Sequence, residues 1–190
     1  MDQTVAIIYG FTEGQWHGKR LRKLLKQQGY RLIRNPAEAD VVIAHSGGCF
    51  DVPQLQDHTL LLLIDPPYWP ERELYTRAHH MSLQMLRAIR PGNRPLYHLS
   101  KTLHNMTYLV RHARTNRRLV YRSKTFDLER EVTHLRTILA RNANDPWLTP
   151  HLNQLRKLNP HLEIYRLPGD HDDCWQHPEI YLNLIQSYRD

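Results

Sequence analysis

Only two cysteines, Cys49 and Cys174, occur in 190 residues, too few and too far apart for a disulfide-stapled scaffold. Long apolar runs are missing as well. The longest, Leu60 to Ile64, is far short of the roughly 20 residues that a membrane span needs. Met1, Asp2 and Gln3 precede the first apolar stretch without the charged and apolar blocks of a signal peptide. A soluble cytoplasmic protein with no membrane partner is therefore expected. There is no internal repeat and no low-complexity tract, which excludes solenoid, collagen and coiled-coil architectures.

What is present is an ordinary globular composition, with 41% hydrophobic and 24% charged residues, enough to bury a core. At this length one domain spanning residues 1–190 is expected. Its charge is unevenly spread. Between Glu71 and Lys124 twelve Lys and Arg stand against two Glu, a balance of +10, which leaves −3 for the rest of a chain whose total is +7. The basic character thus belongs to a middle segment, placed at residues 66–130, that reads as an insertion in a larger fold.

Outside that segment, apolar runs alternate with helical patterns. Val5 to Tyr9 is continuously apolar and stops at Gly10, as a strand buried on both faces does. From Trp16 to Gln28 the residues Leu21, Leu24 and Leu25 share one helical face, and Gly29 supplies a stop. Further strands are expected at Tyr30–Ile33, Val41–Ala44, Leu60–Ile64, His134–Arg141 and Leu162–Leu167. Asn35 with Pro36 starts a single turn, Thr149 with Pro150 opens a helix through Leu158, and Pro178 starts a last helix carrying Tyr181, Leu184, Ile185 and Tyr188. Such alternation predicts an α/β domain of three layers around a mainly parallel sheet. Within the insertion, Leu74 to Ile89 and Leu99 to Val110 read as two lid helices, and Leu119 to Tyr121 as a short extended piece.

The chemistry-bearing stretch is Ala44, His45, Ser46, Gly47 and Gly48, directly after an apolar run. A serine on a sharp strand-to-helix turn needs small neighbours, and here Ala44 stands for the first glycine of G-x-S-x-G. Ser-Gly-Gly is equally ordinary loop chemistry. A serine needs a base, and the base an orienting carboxylate. After the strand ending at Arg141 come Asn142, Ala143, Asn144, Asp145, Pro146 and Trp147; after the last strand come Pro168, Gly169, Asp170, His171, Asp172 and Asp173. The chain order is Ser, Asp, His.

These residues resemble the α/β hydrolases, and are most similar to the small serine hydrolases of the retinoblastoma-binding-protein type, over roughly residues 4–65 and 133–189. The resemblance implies Ser46 as nucleophile, Asp145 as acid and His171 as general base, with the Gly47 amide in the oxyanion hole. It implies a second amide from Phe11, with Thr12 as the fallback, and a six-stranded sheet lacking the family's first two strands. Thr12, His45, Trp147 and Trp175 are the expected substrate contacts, with packing as the competing reading for both tryptophans. The nucleophile helix would cross Gly47, Gly48 and Pro53, so one or two turns are expected.

Asp65 also ends a strand and is an alternative acid, although its neighbours Pro66 and Pro67 favour a turn-capping role. Asp170 to Asp173 with Cys174 offer metal-ligand types, but adjacent loop residues point apart, so no metal and no other cofactor is expected. The cysteines read as small buried side chains. The activity implied is cleavage of a small-molecule carboxylic ester, or of an amide or thioester; the basic lid favours an anionic one, although a solvated lid surface explains the same arginines equally well. The alternative is a non-catalytic module of the same fold, binding nucleic acid or an acidic protein through the basic segment, where Tyr68, Trp69, Tyr75, Tyr97 and Tyr108 could stack on bases.

Overall fold

The computed structural model describes residues 3–10, 13–66, 107, 113–123, 128–133, 136–144, 155–157 and 159–188. The apolar runs form six strands: β1 (Thr4–Ile8), β2 (Arg31–Leu32), β3 (Val41–His45), β4 (Leu60–Ile64), β5 (Thr137–Asn142) and β6 (Glu163–Leu167). They make one sheet in the order β2-β1-β3-β4-β5-β6, and every neighbouring pair is parallel. The two central strands, β3 and β4, are buried along their whole length. That is why their sequences show no polar alternation.

Alternate residues serve opposite faces. Val5, Val41, Ile43, Leu62, Ile64 and Ile138 belong to one core. It is closed by α1 (Lys19–Gln27), through Leu21 and Leu25, and by the short α4 (Asp173–Gln176) and α5 (Pro178–Ser187). Ala6, Val42, Ala44, Leu61, Leu63 and Leu139 belong to the other, covered by Leu128 of α3 (Leu128–Glu131), Val132 and Leu155. Three layers result, as the alternating pattern predicts. Each fully buried leucine contributes about 1.5–3 kcal/mol relative to an exposed one.

Local signals fall where expected, with shifts at element ends. The first helix begins at Lys19, after Gly18, and Pro36–Glu38 is a single 3-10 turn whose N–H of Ala37 is capped by Asn35 Oδ1 at 3.3 Å. The strand expected from His134 begins at Thr137 and runs through Asn142. One reading is corrected: Leu119 to Tyr121 is not extended but lies within α2 (Ala113–Ser123). Leu119 is 1% exposed there while Arg114, Arg117, Arg118 and Arg122 face solvent. A helix lets one buried leucine anchor a segment whose arginines face solvent, a 3.6-residue pattern that β-branched Val120 and aromatic Tyr121 obscure in the sequence. The helix expected at 74–89 lies outside the described residues, as do all of the one expected at 99–110 but Thr107 and most of the one expected from Thr149. Among the described residues no helix is long and apolar enough to cross a membrane.

Candidate active site

The turn after β3 carries the serine. His45 ends the strand in an extended conformation, Ser46 turns sharply with φ 51°, and Ser46–Asp51 then forms a 3-10 segment. A non-glycine residue in the left-handed region stores strain, on the order of 1–3 kcal/mol, that the surroundings must hold. Two glycines make room for it. A Cβ on Gly48 would lie 2.6 Å from the Ile8 carbonyl oxygen, and one on Gly10 would lie 3.0 Å from Ser46 Cβ. The end of β1 therefore presses directly against the serine turn. Gly47 and Gly48 keep the following helix to one short 3-10 segment, as the sequence predicts.

From the loop after β6, His171 brings Nε2 to 2.8 Å from Ser46 Oγ. Both side chains are half-buried, open enough for a substrate and dry enough to hold a hydrogen bond. At the end of β4, Asp65 is fully buried with φ 46°. Its carboxylate reaches across to β5, where Oδ1 accepts the Asn142 N–H at 2.8 Å and Oδ2 accepts from Asn142 Nδ2 at 2.6 Å. Asn142 Oδ1 in turn accepts the Tyr181 hydroxyl at 2.9 Å. One carboxylate oxygen of Asp65 and one ring nitrogen each of His45 and His171 lie within 4.8 Å of one another. The alternative acid thus sits beside the histidine, in a hydrogen-bonded frame that extends into α5.

Behind the serine lies an ion pair. Glu13 accepts from Gly10 N–H at 2.8 Å and from Trp175 Nε1 at 3.2 Å, and its carboxylate is 2.8 Å from His45 Nδ1. His45 Nε2 lies 2.8 Å from the His171 carbonyl oxygen. Since both ring nitrogens face oxygen acceptors, the imidazole donates through both and is a cation. Burial works against that charge, but the neighbouring Cys174 sulfur and the Glu13 carboxylate overcome it, and the His45 pKa stands well above the usual 6.5. Glu13 is the physical partner, because burial pushes the Cys174 thiol up to about 12 and it stays protonated. For Glu13, burial is likewise outweighed by His45, and its carboxyl is held below the usual 4.5.

The expectation for His45 is therefore corrected: it is not a surface or substrate-contacting residue but 0% exposed. The strand runs one residue further than the apolar run suggests, and the Glu13 loop and α4 close over its end. Trp175 is 7% exposed, stacked on Tyr9 with ring centroids 5.5 Å apart and edge-on to His45 at 5.1 Å, so it packs beneath the loops. Cys49 and Cys174 are free and buried. Asp145, Phe11, Thr12 and Trp147 lie outside the described residues. His45, Asp65 and His171 are metal-binding residue types, yet an imidazole donating through both nitrogens has no lone pair for an ion. Glu13, Asn142 and Tyr181 were missed in the sequence; the one available signal was an acid between Gly10 and Gly14, just after a strand.

No protein-family model matches the sequence, and none of the curated proteins matches it either. Solved structures do match. A hydrolase from Pseudomonas aeruginosa PA01 aligns over 98% of this chain and 89% of its own, with TM-score 0.66 and 11% identity. The enol-lactonase from Burkholderia xenovorans LB400 aligns over 99% and 91%, with TM-score 0.62 and 10% identity. A carboxylesterase structure from the thaumarchaeon Nitrososphaera gargenis aligns over 98% and 89%, with TM-score 0.64 and 12% identity. At such identities the likeness concerns architecture, and together with the parallel sheet and its serine turn it establishes that this chain has the α/β-hydrolase fold.

Proposed function

We propose that this protein is a serine hydrolase that cleaves a carboxylic ester, or an amide or thioester, through an acyl-enzyme on Ser46. The observation that carries this reading is the 2.8 Å approach of His171 Nε2 to Ser46 Oγ on a strained, left-handed serine turn. Ser46 Oγ attacks the carbonyl carbon while its proton passes to His171 Nε2. The backbone amide of Gly47, with that of Phe11 or Thr12 from the loop after β1, takes the developing oxyanion. Collapse breaks the bond to the leaving group, which receives the proton from His171. Water then attacks the acyl-enzyme by the same path, releasing the acid and restoring Ser46. Thr12 and Trp147 are the substrate contacts that the hydrolase resemblance implies.

The chain order assigns the orienting carboxylate to Asp145. A second assignment, to Asp65, is favoured by its burial and by its place within 4.8 Å of a ring nitrogen of His171. Asp65→Asn and Asp145→Asn separate the two, since loss of the true acid lowers turnover by about 10⁴-fold while the other leaves most of it. The reading as a whole is tested by labelling with a fluorophosphonate probe. The folded protein is expected to label, and Ser46→Ala and His171→Ala to abolish labelling. A folded protein that does not label would overturn the reading and leave the exposed arginines, with salt-dependent binding to nucleic acid, as the feature to explain.

A further inference from the structure

Beside the serine turn lies a cavity of about 430 Å³, within the size range of small-ligand sites. Its place in the sheet is informative. β1 has β2 on one side and β3 on the other, so the strand order reverses between β1 and β3, and ligands of open α/β sheets bind outside the carboxyl ends of the strands at such a reversal. Residues at the end of β1, residues just past β2 and Asp51 beyond β3 all line the cavity. Gly10 lines it too, and Gly10 is the residue whose Cβ would meet Ser46. Ser46 does not itself line the cavity, but Gly10 joins the cavity wall to the serine turn.

Its charge is one-sided. Arg34, Arg118 and Arg122 line it, and Asp51 is paired with both Arg118 and Arg122, the latter at 2.8 Å. The other acid among the described residues of its wall, Glu13, is taken up by Gly10, His45 and Trp175. Among the described residues of the wall, Arg34, Arg118 and Arg122 thus stand around one further carboxylate, Asp51, which Arg118 and Arg122 share. Arg34 has no ion-pair partner among the described residues, and the side chains of Arg118 and Arg122 remain 57% and 45% exposed. Planar guanidinium forks match a carboxylate in geometry as well as sign.

We propose that this cavity is an anion subsite, and that the substrates of this protein are small esters carrying a free carboxylate that Arg34, Arg118 and Arg122 hold while Ser46 attacks the ester carbonyl. The inference rests on the hydrolase reading above and sharpens it by naming the substrate class. It also gives the basic middle segment a role, since α2 supplies two of the three arginines.

The test compares matched esters at low ionic strength, using mono-p-nitrophenyl glutarate against p-nitrophenyl valerate, and 4-acetoxybenzoate against its methyl ester. The charged member of at least one pair is expected to show a kcat/KM higher by about tenfold or more, carried by KM and shrinking with added salt. Arg34→Gln is expected to lower that charged-to-neutral ratio by about three- to tenfold, Arg34→Lys to retain part of it, and Arg166→Gln, on the opposite edge strand, to leave the ratio unaltered. Neutral esters turned over with no preference for their charged partners would overturn the subsite and leave the hydrolase reading standing. Failure to turn over any of the four esters would overturn both, so the two failures are distinguishable.

Discussion

Two ion pairs flank the serine turn, and they do opposite work. Glu13 and His45 lie behind it, 7% and 0% exposed, with every acceptor and donor answered by a named partner. Arg118 and Arg122 lie in front, about half exposed, sharing the largely buried carboxylate of Asp51. A buried pair is costly to form and costlier to break, because either partner left alone is an unsolvated charge. A pair whose cations stay largely in water is worth less to stability, because the solvent screens it. The contrast separates a group that holds a backbone in place from groups to which we assign a substrate carboxylate. His45 holds the carbonyl of His171 itself, so the proposed general base is anchored through its main chain by the residue that precedes Ser46.

The comparison breaks most completely at its centre. Ser46→Ala and His171→Ala are expected to lower ester turnover by on the order of 10⁴-fold or more with unchanged far-ultraviolet circular dichroism, since each removes one half of a unit that works only as a pair. Next comes the buried side. Glu13→Gln, which leaves a buried His45 without its counter-charge, is expected to cost about 3–5 kcal/mol in urea unfolding, and kcat is expected to fall more than KM changes. Restoring neutrality with the double variant Glu13→Gln, His45→Gln recovers much of that stability if the penalty is electrostatic.

The pH dependence of the pair follows from the two shifts. Glu13 is held below 4.5, so its contribution is complete above that pH and is lost as the solution is acidified through the folded value. His45 is held above 6.5, so its contribution is complete below that pH and is lost as the pH rises through the folded value. The stability difference between the intact protein and the double variant is therefore expected to be greatest between pH 4.5 and 6.5, and to shrink on both sides, in urea titrations across that range. Gly48→Ala, which drives a methyl group against the Ile8 carbonyl, is expected to cost about 1–3 kcal/mol. The smallest effect belongs to the exposed side: Asp51→Asn is expected to change stability by less than about 1 kcal/mol, read by the same titration.

The strands were legible because burial on both faces leaves an uninterrupted apolar run, and Val41–His45 and Leu60–Ile64 are such runs. The serine turn was legible because a strained corner admits only small neighbours. His171 was legible from chain order alone, and the structure brings it to Ser46 across 125 residues of sequence. Glu13 and Asn142 were not legible, since their roles depend on partners from distant strands and helices: Glu13 on His45 and Trp175, Asn142 on Asp65 and Tyr181. A polar side chain carries no periodic signal, and nothing local distinguishes a buried acid from an exposed one.

What the sequence by itself determined, then, is whatever repeats along the chain or is enforced within a few residues: the α/β alternation, the element ends marked by glycine and proline, the corner at Ser46. The tertiary structure decided which charges are inside. His45 reads from its neighbours as a residue at the surface of a loop, and becomes a buried cation only because Glu13, Trp175 and the His171 carbonyl converge on it. Ionisation is set by the sum of desolvation and nearby charge, and both terms are properties of a place in space, not of a position in the chain.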